Sequence, residues 1–358
     1  MTMRVSTLPD QLTERAWPEL AVGLTAVPTP VDTLVLCAGF EDRSAAVLRR
    51  AVLAGARGFN VICLDYLPAV AENRREEVIQ LCRDADARHE LVVYDRESPA
   101  GAAERLFDAV KGSGNIHLDI SGMSRLLIVQ AVVFALREAL ASRTQIWYAE
   151  AEQYPPTRAQ VEKELAEAAD PLAVAMFLST GVFGVTVVPE LSSVAMQGQP
   201  IRLIAWPSWN AMQVAALCGE LQASSYTMLH GQPPRAENDW RLDAIKSLNH
   251  IGALASLEER TTSTLDYRET LSTLLELYRL HAQREKLVLA PTGSKMQSVA
   301  VGIMRAWFHD VQVVYPTPKT FTAPSEYTRG VREFYSLPLA AFEPPHPGHG
   351  NAGDSDDD

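Results

Sequence analysis

The sequence predicts an α/β protein: two tandem, duplicated Rossmann-like units of parallel sheet, joined as a pseudo-two-fold pair. Three observations lead there. Short apolar runs alternate with longer helix-patterned stretches, the order that builds a parallel sheet covered by helices. The pattern restarts past residue 200. One kind of junction also occurs twice, as Ile116-His117-Leu118-Asp119-Ile120-Ser121-Gly122-Met123-Ser124-Arg125 and as Leu287-Val288-Leu289-Ala290-Pro291-Thr292-Gly293-Ser294-Lys295-Met296-Gln297. In both, an apolar run ends in small residues and a long helical pattern follows. Such a junction aims free backbone N–H groups and the positive end of a helix at whatever lies above it.

The elements follow in order. Residues 1–30 are a polar, proline-containing lead-in. Residues 31–38 form an apolar run suited to a buried parallel strand, broken by Gly39-Phe40-Glu41-Asp42-Arg43-Ser44. A helix pattern (45–56), a strand (60–64), a helix (73–83), a strand (91–94) and a helix (101–110) come next. The first junction then leads into its helix, 126–140, and a strand, 145–149. An additional helical stretch is expected over 155–178. The second unit opens with a strand at 202–206, closed by Pro207-Ser208-Trp209-Asn210, and continues with a helix at 211–221 and strands at 226–229 and 311–315.

The repeat is written in small matches that keep one order and a near-constant offset. Ala71-Glu72-Asn73 returns as Ala236-Glu237-Asn238, Ser121-Gly122 as Thr292-Gly293, and Tyr148 as Tyr315. Thr180-Gly181-Val182 and Arg329-Gly330-Val331 precede similar β-rich ends. Chance matches would scatter, so internal duplication is the expectation. The units are read as 31–195 and 200–343, with a disordered acidic tail at 344–358.

At 358 residues the chain is long for one domain, and 47% apolar residues can build a sizeable core. Its net charge of −12, from 32 Lys and Arg against 44 Asp and Glu, argues against a broad nucleic-acid surface but leaves room for a local basic pocket. Cys37, Cys63, Cys82 and Cys218 form no CxxC pair and no zinc spacing, so no metal is expected, and reduced cytoplasm is the expected location. No apolar run is long enough to suggest a membrane span.

In open parallel sheets, ligands bind beyond the carboxyl ends of the strands, and the candidates are drawn from there. In the junction loops these are Ser121, Gly122, Met123, Ser124 and Arg125, and Thr292, Gly293, Ser294 and Lys295. Glycine permits close approach of a ligand. The hydroxyls can cap the helix or donate to a phosphate, and Arg125 and Lys295 can supply neutralising charge. Neither loop is a Walker A loop or a GxGxxG fingerprint. Gly39, Phe40, Glu41, Asp42, Arg43 and Ser44 form a second candidate loop, able to stack a base and hold hydroxyls or phosphate. Ser208, Trp209 and Asn210 are its counterpart without the charges, and Lys319 is a further phosphate contact. Asp42, Asp119 and Glu150 are the weak candidates for acid–base chemistry.

The junctions resemble those of the CARF/SAVED superfamily of Rossmann-like sensor domains from CRISPR-linked and related antiviral systems. The resemblance rests on 119–125 and 291–295 for one loop, and on 39–44 and 207–210 for the other; Met123 departs from the usual small residue. It implies two such units closing around a nucleotide-type anionic ligand, such as a cyclic oligonucleotide, with no other cofactor. The expected function is therefore a cytoplasmic sensor in an antiviral defence system that signals to a separate effector protein and can assemble as an oligomer. The alternatives are an enzyme acting on a nucleotide or sugar phosphate, and a non-catalytic scaffold subunit of a defence complex.

Overall fold

A computed structural model describes residues 7–24, 26–167, 179–249, 256–321 and 327–345. The expected α/β architecture of parallel sheets flanked by helices is what the chain adopts. The first sheet is built from β2 (Thr33–Cys37), β3 (Asn60–Leu67), β4 (Arg88–Asp95), β5 (Ile116–Asp119) and β6 (Thr144–Glu150), after a two-residue strand β1 (Ala21–Val22). These five strands lie in the order β4-β3-β2-β5-β6, with every neighbouring pair parallel. The second sheet is built from β8 (Ile201–Ala205), β9 (Ser225–Gln232), β10 (Leu257–Ser263), β11 (Lys286–Ala290) and β12 (Gln312–Val313), in the order β10-β9-β8-β11-β12, again all parallel.

The two sheets share a strand order, and strands from the two halves of the chain pair with each other beyond it. The terminal strand β14 (Glu333–Pro338) pairs antiparallel with β6, and β1 pairs with β14. The mid-chain strand β7 (Ser179–Thr186) pairs antiparallel with β13 (Tyr315–Phe321) as a separate two-stranded sheet. The strand expected over 311–315 thus divides at Val314, whose N–H donates to the Leu289 carbonyl at 2.9 Å before the chain turns to meet β7. Pro316 and Pro318 cannot donate to a ladder, which suits a two-stranded pairing and not a central strand.

Side-chain alternation divides the core into layers. Val35 and Cys37 of β2 face a large inner core, while Leu34 and Leu36 face an outer one against α2 (Ala46–Leu53) and α3 (Arg75–Asp84). In β11, Leu287 and Leu289 join the same inner core, and Val288 and Ala290 face a separate outer cluster with α7 (Ala211–Leu221). The inner core is therefore continuous across the two halves. Its centre is the contact between α5 (Arg125–Arg137) and α10 (Lys295–Trp307), the helices that follow the two junctions. Residues 126–133 of α5 are all buried, the pattern of a helix enclosed on every side. Gly302 brings α10 close to α5: a Cβ there would stand 2.7 Å from the Val132 Cβ. Among the described residues no helix is long and apolar enough to cross a membrane. The expected tail lies outside the described residues from 346 on, as does 168–178 of the helical stretch expected at 155–178; the described part holds α6 (Arg158–Glu167).

Candidate functional site

The two junction loops end at matching helix starts. Ser124 caps α5, its hydroxyl accepting from the Leu127 N–H at 3.3 Å. Ser294 caps α10, accepting from the Gln297 N–H at 3.1 Å, while Gln297 reaches back to the Ser294 N–H at 2.8 Å. Ser294 also donates to the Thr264 carbonyl at 2.6 Å. The Ser121 hydroxyl accepts from the Ala149 N–H at 2.8 Å. Thr292 accepts from the Trp206 N–H at 3.1 Å and donates to the Trp206 carbonyl at 2.6 Å. All four hydroxyls are thus engaged in tying strand ends and helix starts together.

The glycines have a different reason from the one expected. A Cβ on Gly122 would collide with the Cys37 carbonyl and stand 2.9 Å from the Ser44 Cβ. On Gly293 it would collide with Gln297 and reach 2.8 Å from the Trp206 ring. The space over Gly122 is filled by the end of β2 and the loop after it, and that over Gly293 by Gln297 of its own helix and by Trp206.

The two basic residues at the helix starts reach across the halves reciprocally. Arg125 Nε donates to the Gly293 carbonyl of the second loop. Lys295 Nζ donates to the Met123 carbonyl of the first loop, at 2.7 Å. Lys295 also lies 3.8 Å from Glu41, which pairs with Arg43 at 2.9 Å. Burial opposes charge on Glu41, but Arg43 and Lys295 outweigh it and hold the carboxyl at about 2. Burial brings the Lys295 ammonium down to about 8; Glu41 resists this, and Arg43 and Arg125 add to it. Arg43 Nη1 bonds the Tyr148 hydroxyl at 3.1 Å, and the Glu41 pairing keeps its guanidinium charged.

Above this cluster lies a cavity of about 380 Å³, lined from both halves. Six cationic side chains line it (Arg43, Arg96, Arg125, Arg235, Arg241 and Lys295) against two carboxylates, Glu41 and Glu150. Eight aromatic residues complete the wall: Phe40, Tyr66, Tyr148, Tyr154, Trp206, Trp209, Tyr315 and Tyr327. In a chain of net charge −12, this concentrates the opposite sign at one place. Arg235 pairs with Glu150 at 2.7 Å. Arg241 donates to the carbonyls of Tyr154, Pro155 and Pro156 and lies over the Trp209 and Trp240 rings. Among the described residues neither Arg125 nor Arg241 has a carboxylate partner.

Of the candidates, the structure brings Gly39, Phe40, Glu41, Arg43, Gly122, Met123, Ser124, Arg125, Glu150, Ser208, Trp209, Asn210, Thr292, Gly293, Ser294 and Lys295 to this cavity. Five others fall elsewhere. Asp42 pairs with Arg74 and accepts from the Gly330 N–H. Ser44 donates to the Gly39 and Glu41 carbonyls, closing its own turn. Ser121 is spent on Ala149, as above. Lys319 is exposed and packs near Gly181. Strand alternation is the cause: Pro318 lines the cavity, so the next side chain faces away. Asp119 is fully buried outside the lining; one oxygen accepts from the Ser121 N–H at 2.9 Å and the other has no partner. Burial pushes its carboxyl up to about 7, against the Ser121 bonds and the nearby Lys295 and Arg43 charges.

That raised value predicts a pH-dependent substitution. A carboxyl whose folded value lies above its ordinary 3.8 contributes stability at low pH that is lost as pH rises through about 7. Asp119→Asn should therefore compare more favourably with the parent at pH 9 than at pH 5, by about 2–3 kcal/mol in urea unfolding. An unchanged difference would contradict the burial account.

Several lining residues were missed in the sequence. Tyr66 enters because β3 runs to Leu67, three residues past its expected end; its hydroxyl accepts from the Ser124 N–H at 2.6 Å. Arg235 enters because β9 runs to Gln232, and the arginine after Pro233-Pro234 was the available signal. Tyr327 stacks edge-on to Phe40 at 4.7 Å, from a segment far along the chain whose pairing with the first loop no local pattern announces. Among the described residues no group of His, Cys, Asp and Glu is placed to hold a metal ion.

No family model matches the chain, and no curated protein matches it. Solved structures similar to it include the cytoplasmic domain of a prokaryotic cation chloride cotransporter, 10% identical, covering 83% of this chain and 97% of that one, with a TM-score of 0.23. A chain described as a universal stress protein from Pseudomonas aeruginosa UCBPP-PA14 is 10% identical, with 80% and 94% covered and a TM-score of 0.23. A functionally unknown protein from Pseudomonas aeruginosa PAO1 is 9% identical, with 80% and 93% covered and a TM-score of 0.22.

Proposed function

We propose that the protein binds an anionic, ring-bearing ligand of the nucleotide class in the cavity between its halves. One observation carries this reading: six cations and eight aromatic residues against two carboxylates, around about 380 Å³, in a strongly acidic chain. Clustered cations favour phosphate, and aromatic walls favour a base. We read the protein as a sensor of the CARF/SAVED type, its halves as diverged copies, with a cyclic oligonucleotide as one candidate ligand and antiviral defence as its setting. The reciprocal Arg125–Gly293 and Lys295–Met123 bonds suit a sensor. An anion that draws either cation away loosens a contact between the halves, and a separate effector can read that change. The acid–base candidates do not favour an enzyme: Asp119 does not line the cavity, Asp42 pairs with Arg74, and Glu150 pairs with Arg235.

A calorimetric screen of mononucleotides, dinucleotides and cyclic oligonucleotides tests the reading. Binding of one or more supports it; binding of none overturns it. Proton linkage gives a second check. The Lys295 ammonium, held near 8, is the anion-binding form, so affinity should fall as pH rises through that value. Lys295→Arg, which does not titrate in this range, should flatten the profile. An equally steep profile in the variant would assign the dependence to another group.

A further inference from the structure

The cavity wall carries a carboxylate with one oxygen tied down and the other open. Glu41 lines the cavity, and its side chain is 15% exposed. Its Oε2 accepts from Arg43 Nε at 2.9 Å and from the Thr328 hydroxyl. Its Oε1 accepts no hydrogen bond among the described residues, since Lys295 Nζ stands off at 3.8 Å. Unlike the second oxygen of Asp119, Oε1 is not sealed from solvent. Arg43 and Thr328 thus fix the carboxylate in place and leave an acceptor for something else. Burial works against its charge, but Arg43 and Lys295 keep it ionised.

A bare carboxylate oxygen repels phosphate and attracts a donor. The cations that suit phosphate stand around this one. Arg43 is in contact with it and Lys295 is 3.8 Å away, with Arg125 close enough to oppose the Lys295 charge. A ligand that sets a phosphate on these cations brings the atoms next to that phosphate up to Oε1. In a nucleotide those atoms belong to the sugar, and the donors of the base lie at the far end. Where nucleotides are joined through their 3′ oxygens, the 2′-hydroxyl is the sugar donor that remains. Resting on the nucleotide-class reading of this cavity, we infer that Glu41 selects the sugar: its Oε1 accepts from the 2′-hydroxyl of a ribonucleotide, and deoxyribonucleotides are rejected. Glu150, the other carboxylate of the wall, has one cation in contact, Arg235 at 2.7 Å, and lacks the clustered charge that would seat a phosphate beside it.

The test titrates the full chain with ribonucleoside 5′-monophosphates and 3′,5′-linked cyclic dinucleotides, each beside its 2′-deoxy and 2′-deoxy-2′-fluoro forms. Fluorine fills the place of the hydroxyl but cannot donate. The ribo form should bind tighter than both others by about tenfold or more, the size expected when a buried charged acceptor is left without its donor. Glu41→Gln separates recognition from packing. Arg43 and Thr328 both donate, so the new amide turns its oxygen to them and leaves its NH2 where Oε1 stood. The preference should then shrink by about threefold or more through weaker ribo binding, because the charge assistance is gone. The deoxy form should bind the variant no more weakly than the parent, whereas a merely structural loss would weaken every form alike. Equal binding of ribo and deoxy forms by the parent, a fluoro form bound as tightly as the ribo form, or a preference undiminished in Glu41→Gln overturns the inference while leaving the nucleotide reading standing. Binding of no nucleotide at all overturns the reading of the site beneath it.

Discussion

Replacing Arg125 and Lys295 together by alanine should weaken ligand binding by about a hundredfold or more. Hydrogen bonds to charged groups contribute about 1.5–3 kcal/mol each, and these two side chains stand at the helix starts that face the cavity. Their loss also removes both bonds that tie one junction loop to the other. Binding and stability must therefore be separated. Arg125→Lys keeps the charge and loses the Nε bond to the Gly293 carbonyl, so it should weaken the contact between the halves more than it weakens binding. Calorimetry on the double variant, with urea unfolding alongside, checks both. Retained affinity in a folded double variant would remove the two basic residues from the site.

Gly122→Ala should cost about 3 kcal/mol of stability, at the upper end of overpacking effects. The new methyl group would meet the Cys37 carbonyl and the Ser44 Cβ, and neither is the far end of a side chain that can swing aside. Gly293→Ala should act in the same direction through the Trp206 ring. Gly112→Ala is the control: open space surrounds its Cβ direction, so unfolding should be almost unchanged. Denaturant unfolding of the three variants gives the comparison. A Gly122→Ala protein as stable as the Gly112→Ala protein would contradict the packing described for the junction.

The alternation of apolar runs and helical stretches made the sheets legible, because strand and helix periods are local properties of the chain. The junction loops were legible for the same reason: the small residues at 121–125 and 292–295 sit directly before long apolar helices. What lay beyond local pattern was lost. The pairings of β14 with β6 and of β7 with β13 join segments far apart in sequence, and nothing in either strand names its partner. Tyr66 and Arg235 were hidden by strands that run a few residues past their apolar stretch, since a strand end that faces the cavity has no need of apolar side chains. Lys319 went the other way. Its charge and its place after a strand suggested a phosphate contact, but the alternation of β13 gives the cavity Pro318 instead. The glycines were found correctly as sites of close approach, yet what approaches them is the protein itself: Cys37 and Ser44 at Gly122, and Gln297 and Trp206 at Gly293.

Titration of the parent chain with a nucleotide panel and with inorganic pyrophosphate, followed by tryptophan fluorescence at Trp206 and Trp209, tests the central claim most directly. Both residues line the cavity, so occupancy should change their emission. The charge-and-ring account predicts saturable binding of at least one nucleotide, with pyrophosphate weaker because it offers charge without a base. Pyrophosphate bound as tightly as every nucleotide, or no response to any of them, would contradict it.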